Sequence, residues 1–233
     1  MAKIRKIMTA GPLTIECIYP APSPRDSEPV RRAKKNQSTE ARRYLNLKYA
    51  YQKLELQLAA NIRPGDWFLT LSYRDDALPP NRKAAMKDFA AFLRRMRSRR
   101  KHPWCYFYRL EHKHSRGTRY HFHIVMTAGN ESREDMEAIW RNGNVELHKI
   151  NITPAKPYEA LARYMTKESP DKLGQRLWCH SLGIRKPETD RIRMPDDGDI
   201  QAPEGAAVLD DSGTVRTAYG SWRRIKFLRF PIS

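Results

Sequence analysis

Two histidines one residue apart, His121 and His123, are the spacing in this chain best suited to chemistry. They lie in Arg119-Tyr-His-Phe-His-Ile-Val-Met126, whose alternation reads as a β-strand. Tyr120, Phe122, Ile124 and Met126 fall on one face, and Arg119, His121, His123 and Val125 on the other. Side chains two apart on a strand stand about 7 Å from each other, so both imidazoles can reach one metal ion. Neutral imidazole is the commonest metal-binding side chain, but two ligands rarely complete a site. The preceding apolar run, Trp104-Cys-Tyr-Phe-Tyr-Arg-Leu-Glu111, puts Trp104, Tyr106, Tyr108 and Leu110 on one face and Arg109 and Glu111 on the other. A hairpin closed by the polar residues 112 to 118, with Gly117 for the turn, brings Glu111 beside the histidines. The expected ligand set is Glu111, His121 and His123, with His112 and His114 close by as alternatives for the third place. The plainer alternative is that the histidines decorate a solvated sheet face.

A divalent ion on an open sheet face of a basic protein suits phosphoryl chemistry, because it can polarise a phosphoryl oxygen and orient the scissile bond. The nucleophile for such a reaction is found farther along, on a helix expected over Tyr158 to Glu168. At about 100° per residue, Tyr158, Leu161, Ala162 and Met165 form its buried stripe and Tyr164 lies on the flank. Lys167 follows one turn later, where a cation can lower a phenol's pKa from about 10 or steady a phosphate.

The elements that must position these groups are legible in order. Trp67 to Tyr73 is a strand with Trp67, Leu69, Leu71 and Tyr73 on one face and Phe68, Thr70 and Ser72 on the other. Asn81 to Arg100 is an amphipathic helix with the apolar stripe Met86, Phe89, Phe92, Leu93 and Met96. The two strands of the hairpin follow, then a short helix from Ser132, a strand over Val145 to Ile152 and the helix of Tyr164. This β-α-β-β-α-β order predicts an α+β domain of the ferredoxin-like split βαβ type over residues 62–170. Its central antiparallel sheet carries helices on one face and the active site on the other. Ahead of it, a Pro-rich basic arm over 1–37 is expected to be irregular and partly disordered, and 38–61 to form a helix. Residues 171–233 are expected to be an extension packing on the core, basic at first, acidic and loop-like over 190–213, with a closing strand near 221–230.

The chain has 44 Lys and Arg against 26 Asp and Glu, a net charge of +18 and a pI near 10.0, which favours a polyanionic partner. Arg109, Arg119, Arg95 and Arg99, with Thr70 and Ser72, are the residues expected to meet nucleic acid. Phe68 and Phe107 on the open face could stack on bases. No run approaches the ~18 apolar residues of a membrane span, and the N-terminal apolar run is too short for a signal peptide. The three cysteines, Cys17, Cys105 and Cys179, suggest no zinc pattern or disulfide framework, so a reducing, cytoplasmic setting is expected. The G-x-x-x-x-G-K-[ST] pattern of a nucleotide-hydrolysing helicase is missing from the sequence.

His121-Phe-His123 resembles the His-hydrophobic-His motif of the HUH endonucleases. Phe68-Leu-Thr-Leu-Ser-Tyr73 resembles the first motif of their replication-initiator class, and Tyr164-Met-Thr-Lys167 the tyrosine motif. The three stand in that family's order and spacing over about residues 62–169. The resemblance implies a single-tyrosine, Rep-like nickase of a bacteriophage or plasmid, because Glu168 stands where a second catalytic tyrosine would fall. It also implies Mg²⁺ or Mn²⁺ as cofactor, a 5′-phosphotyrosine intermediate and a free 3′-hydroxyl that primes rolling-circle replication. The implied partner is single-stranded DNA at a replication origin in the bacterial cytoplasm, with helicase and polymerase supplied by others. The alternatives are a non-catalytic single-stranded nucleic-acid-binding domain of the same topology and a transposase-like strand transferase.

Overall fold

A computed structural model describes residues 2–21, 39–113, 119–166, 176–195, 197–217 and 220–229. These fall into two compact units, one within 62–152 and 164–184, the other within 1–61, 153–163 and 185–233.

The first unit is built from β3 (Trp67–Ser72), α2 (Arg82–Arg99), β4 (Tyr106–Lys113), β5 (Arg119–Met126), α3 (Arg133–Trp140) and β6 (Val145–Lys149). The strands pair antiparallel in the order β6-β3-β5-β4, with the two-residue β7 (Cys179–His180) added outside β4. Numbering the four main strands along the chain gives the spatial order 4-1-3-2, the split βαβ arrangement that the sequence predicts. Register follows the hydrophobic alternation: Leu71 and Leu110 flank Phe122, and Leu69 and Tyr108 flank Ile124. A slip of one residue would turn every one of these side chains to the other face. Phe89, Phe92, Leu93 and Met96 of α2 and Met136, Ile139 and Trp140 of α3 pack on this face, and the Phe89 and Phe122 rings stack at 4.5 Å. The helices start where side chains can satisfy their free N–H groups. Asn81 accepts from the Ala84 amide, and Ser132 with Asp135 forms a reciprocal capping box.

The second unit holds a second antiparallel sheet. Its strands are β1 (Lys3–Ala10), β2 (Leu13–Pro20), β8 (Glu188–Met194), β9 (Ala207–Asp211), β10 (Val215–Thr217) and β11 (Gly220–Leu228), in the order β10-β11-β2-β1-β8 with β9 also on β11. Helix α1 (Thr39–Asn61) buries Leu54 and Leu58. The sheet corrects two expectations. Residues 3–20 form a hairpin where an irregular arm was expected, and strands β8 and β9 occupy much of 190–213, where an acidic loop was expected. Residues 22–38 of that arm lie outside the described residues. The hairpin depends on Gly11, whose φ of +55° opens the two-residue turn and where a Cβ would run into the Ala59 carbonyl oxygen. Lys226 of β11 is buried and donates to Glu55 of α1 and to Glu159. Burial holds the Glu55 carboxyl above its ordinary range, and the Lys226 ammonium opposes that shift without cancelling it. Helix α4 (Tyr158–Thr166) carries Glu159 within this unit, and from residue 164 its chain belongs to the other.

Candidate functional site

On β3, β4 and β5 the face turned away from α2 and α3 presents Phe68, Thr70 and Ser72, then Phe107, Arg109 and Glu111, then His121, His123 and Val125. Strand pairing sets Glu111 opposite His121, and sets Arg109 and Thr70 on either side of His123. The result is a convergent group. Glu111 Oε2 lies 2.6 Å from His121 Nε2 and 2.9 Å from His123 Nε2, and the three ligand atoms fall within 4.8 Å of one another. Glu111 and His123 are buried and His121 half-buried. A buried carboxylate requires a compensating partner, and two imidazole nitrogens aimed at one oxygen form a pocket of mixed N and O donors that a divalent cation fits. Glu111, His121 and His123 could therefore hold a metal ion. Of the alternatives for the third ligand, His112 pairs with Tyr120 in register and stacks on its ring at 4.5 Å, on the opposite face of the sheet. His114 lies outside the described residues.

The end of α4 is packed against this group. The Tyr164 ring meets the His123 ring edge-on at 5.2 Å and the Phe68 ring at 5.5 Å, yet Tyr164 stays 41% exposed. Tyr158, Ala162 and Met165 are buried, which matches the stripe read from the sequence. Two other tyrosines of this unit are unsuited to attack. Burial, with Asp88 beside Tyr73 and the Cys179 thiol beside Tyr108, pushes both phenols above their ordinary range. Lys167 lies outside the described residues.

Several expected nucleic-acid contacts have other partners. Arg109 is buried, and its Nη1 donates to the Met165 carbonyl oxygen at 3.0 Å, fixing the turn of α4 that bears Tyr164. Thr70 is buried with its hydroxyl at His123 Nδ1. Ser72 is half-buried and pairs in register with His121. Arg95 donates from Nε to the Ile139 carbonyl at 2.6 Å and from Nη2 to the Trp140 carbonyl at 3.1 Å, closing the C-terminus of α3 on the helical side of the sheet. Arg99 pairs with Asp135 of α3 at 2.6 Å and Arg119 with Asp75, both pairs being exposed. Phe107 is fully buried, with the Trp178 and His180 rings at 6.4 and 6.0 Å. That cover comes from a two-residue strand and the residue before it, too short a stretch to leave a periodic signal in the sequence.

Residues 66–169 match a family model of replication-associated proteins, the ORF2 type, over a span that runs from β3 through α4 and includes Glu111, His121, His123, Tyr164 and Lys167. Comparisons with curated proteins and with solved structures give no match. The family match supports a Rep-like, replication-associated protein and implies interaction with DNA.

Proposed function

We propose that this protein is a metal-dependent enzyme that nicks and rejoins single-stranded DNA and so initiates rolling-circle replication of a phage or plasmid. In this reading it is an HUH-type nickase with Tyr164 as its nucleophile. The observation that carries the reading is the exposed Tyr164 ring seated on His123 at the rim of a buried carboxylate-imidazole group. Glu111, His121 and His123 would hold Mg²⁺ or Mn²⁺, which when bound polarises a non-bridging oxygen of the scissile phosphate. The chain's own residues do the rest. Phe68 backs the Tyr164 ring and Arg109 anchors the neighbouring Met165 carbonyl, so the phenol is oriented before substrate arrives. Its oxygen forms a bond to phosphorus as the P–O3′ bond breaks. The phenol loses its proton, the departing 3′ oxygen gains one, and the 5′ phosphate stays on Tyr164. Attack by a 3′-hydroxyl reverses the step and joins a strand, while an unused 3′-hydroxyl can prime synthesis. Lys167 is assigned the role of steadying the phosphate, and Arg119 and Ser72 remain expected strand contacts. The partners in this reading are an origin in single-stranded DNA and a helicase and polymerase of the bacterial cytoplasm. A purely binding module would need Phe68 and Phe107 as stacking platforms, and both rings already have partners.

The test is incubation of the full chain with an end-labelled oligonucleotide spanning its own origin, with and without Mn²⁺. Wild type is expected to cleave and to form a covalent adduct that digestion and mass spectrometry map to Tyr164. Tyr164→Phe is expected to bind the oligonucleotide normally and to form no adduct. Cleavage retained by Tyr164→Phe would sink the mechanism, and an intact strand with wild type under both conditions would leave a binding protein.

A further inference from the structure

The geometry points to Thr70 as a positioning residue for His123, one that sets how this ring offers Nε2, in place of the strand contact expected from the sequence. The inference rests on reading His123 as a metal ligand. Thr70 is 9% exposed, and its Oγ1 lies 3.3 Å from His123 Nδ1, across the pairing that sets the two residues opposite each other. The other ring nitrogen, Nε2, is 2.9 Å from Glu111 Oε2 and so faces the convergence point of the group. An imidazole that gives the Nε2 lone pair to a cation must carry its proton on Nδ1, and a buried N–H needs an acceptor. The Thr70 hydroxyl is that acceptor. When no ion is present and Nε2–H donates to Glu111, the same hydroxyl can turn and donate to Nδ1, because a hydroxyl both gives and accepts. A valine of nearly the same shape could serve neither state. Phe68 lies two residues earlier on the same face of β3, with its ring 5.7 Å from that of His123 and 20° from parallel, while Tyr164 closes the edge. Phe68-x-Thr70 thus forms a cradle, in which the rings bound the rotation of His123 and the hydroxyl fixes its proton.

The test uses the full chain with the near-isosteric Thr70→Val and the hydroxyl-preserving Thr70→Ser. Mn²⁺ affinity is measured by calorimetry, and the imidazole ¹⁵N shifts of His123 by NMR in the ion-free and Mg²⁺-saturated protein. Thr70→Val is expected to weaken Mn²⁺ about tenfold, the lower end of what an outer-shell partner contributes. It should shift the Nδ1 resonance in both states and leave oligonucleotide affinity in EDTA unchanged. Thr70→Ser should restore the affinity and the resonance. Mn²⁺ binding within twofold of wild type in Thr70→Val, or an equal loss in Thr70→Ser, overturns the inference. A loss of oligonucleotide affinity at unchanged Mn²⁺ affinity overturns it in favour of a strand contact. Should wild type bind no Mn²⁺, the metal reading falls, and an unmoved ion-free Nδ1 shift would then overturn the Thr70 contact by itself.

Discussion

At the scale of the residue, the third ligand is decided by parity. Glu111 and His112 are neighbours, but successive side chains on a strand point to opposite faces, and only the odd-numbered residues of β4 share a face with His121 and His123. Glu111→Gln keeps the shape and removes the charge that offsets a cation. It is expected to weaken Mn²⁺ by more than the about 10–100-fold typical of an outer-shell partner, and cleavage should fall with it. His112→Ala, on the far face against Tyr120, should change Mn²⁺ affinity little. Calorimetry of both variants checks the pair, and a larger loss in His112→Ala would show the register to be wrong. This choice could be made from the sequence because alternation is a local property. The part played by Arg109 could not. An arginine on the polar face of a strand looks like a phosphate contact until a carbonyl 56 residues away is found against its guanidinium.

At the scale of the element, the basic end of α2 shows where sequence reading stops. Arg95, Arg99 and Arg100 read as a cationic helix end awaiting a polyanion, yet each meets a group of the segment that leads into or forms α3. Such pairings are tertiary, and nothing in a helical period announces them. Arg100 is the costliest to disturb. It is buried, donates twice to Glu131 at 2.7 and 2.8 Å and also reaches the Thr127 carbonyl. Arg100→Ala would strand a buried carboxylate, and a loss of about 3–5 kcal/mol is expected in denaturant unfolding. The pH dependence has a definite sign. Hydrogen bonds from Arg100 hold the Glu131 carboxyl below its ordinary range. A depressed carboxyl contributes stability that is complete above the unfolded value of about 4.3 and is lost as pH falls through the folded one. The gap between wild type and Arg100→Ala should accordingly narrow below about pH 4.3, and thermal melts over about pH 2–7 would check it. Arg95→Ala should cost less, about 1–3 kcal/mol, with Mn²⁺ affinity unchanged, because it frees two α3 carbonyls on the side of the sheet away from Glu111.

At the scale of the whole molecule, the sequence pattern was strong where strands alternate and helices run long, as in 62–166, and weak in the second sheet. There β1 interleaves Lys3, Arg5 and Lys6 with its apolar residues, and β8 is exposed along nearly its whole length, so neither shows a clean apolar face. The buried ion group of that unit was equally hidden, since Lys226 and Glu55 stand 171 residues apart. Removing Lys226 alone leaves Glu55 buried without its cation, so Lys226→Met should be strongly destabilising. The double variant Lys226→Met with Glu55→Leu should recover much of the loss. A double variant no more stable than the single one would argue against this account. The net charge of +18 makes a further demand: affinity for single-stranded DNA should fall with salt, log K against log salt having a slope of about −0.7 per phosphate neutralised. A flat titration would mean that the charge serves something else. Finally, the three ligands lie between residues 111 and 123, on two paired strands in the interior of the sheet. An ion bound there would bridge β4 and β5, and its ligand set exists only while those strands stay paired. Occupancy and unfolding are then one equilibrium seen from two ends: about 2.7 kcal/mol of added stability at a hundredfold excess over Kd, readable as an upward shift in Tm with Mn²⁺ whether or not any DNA is present.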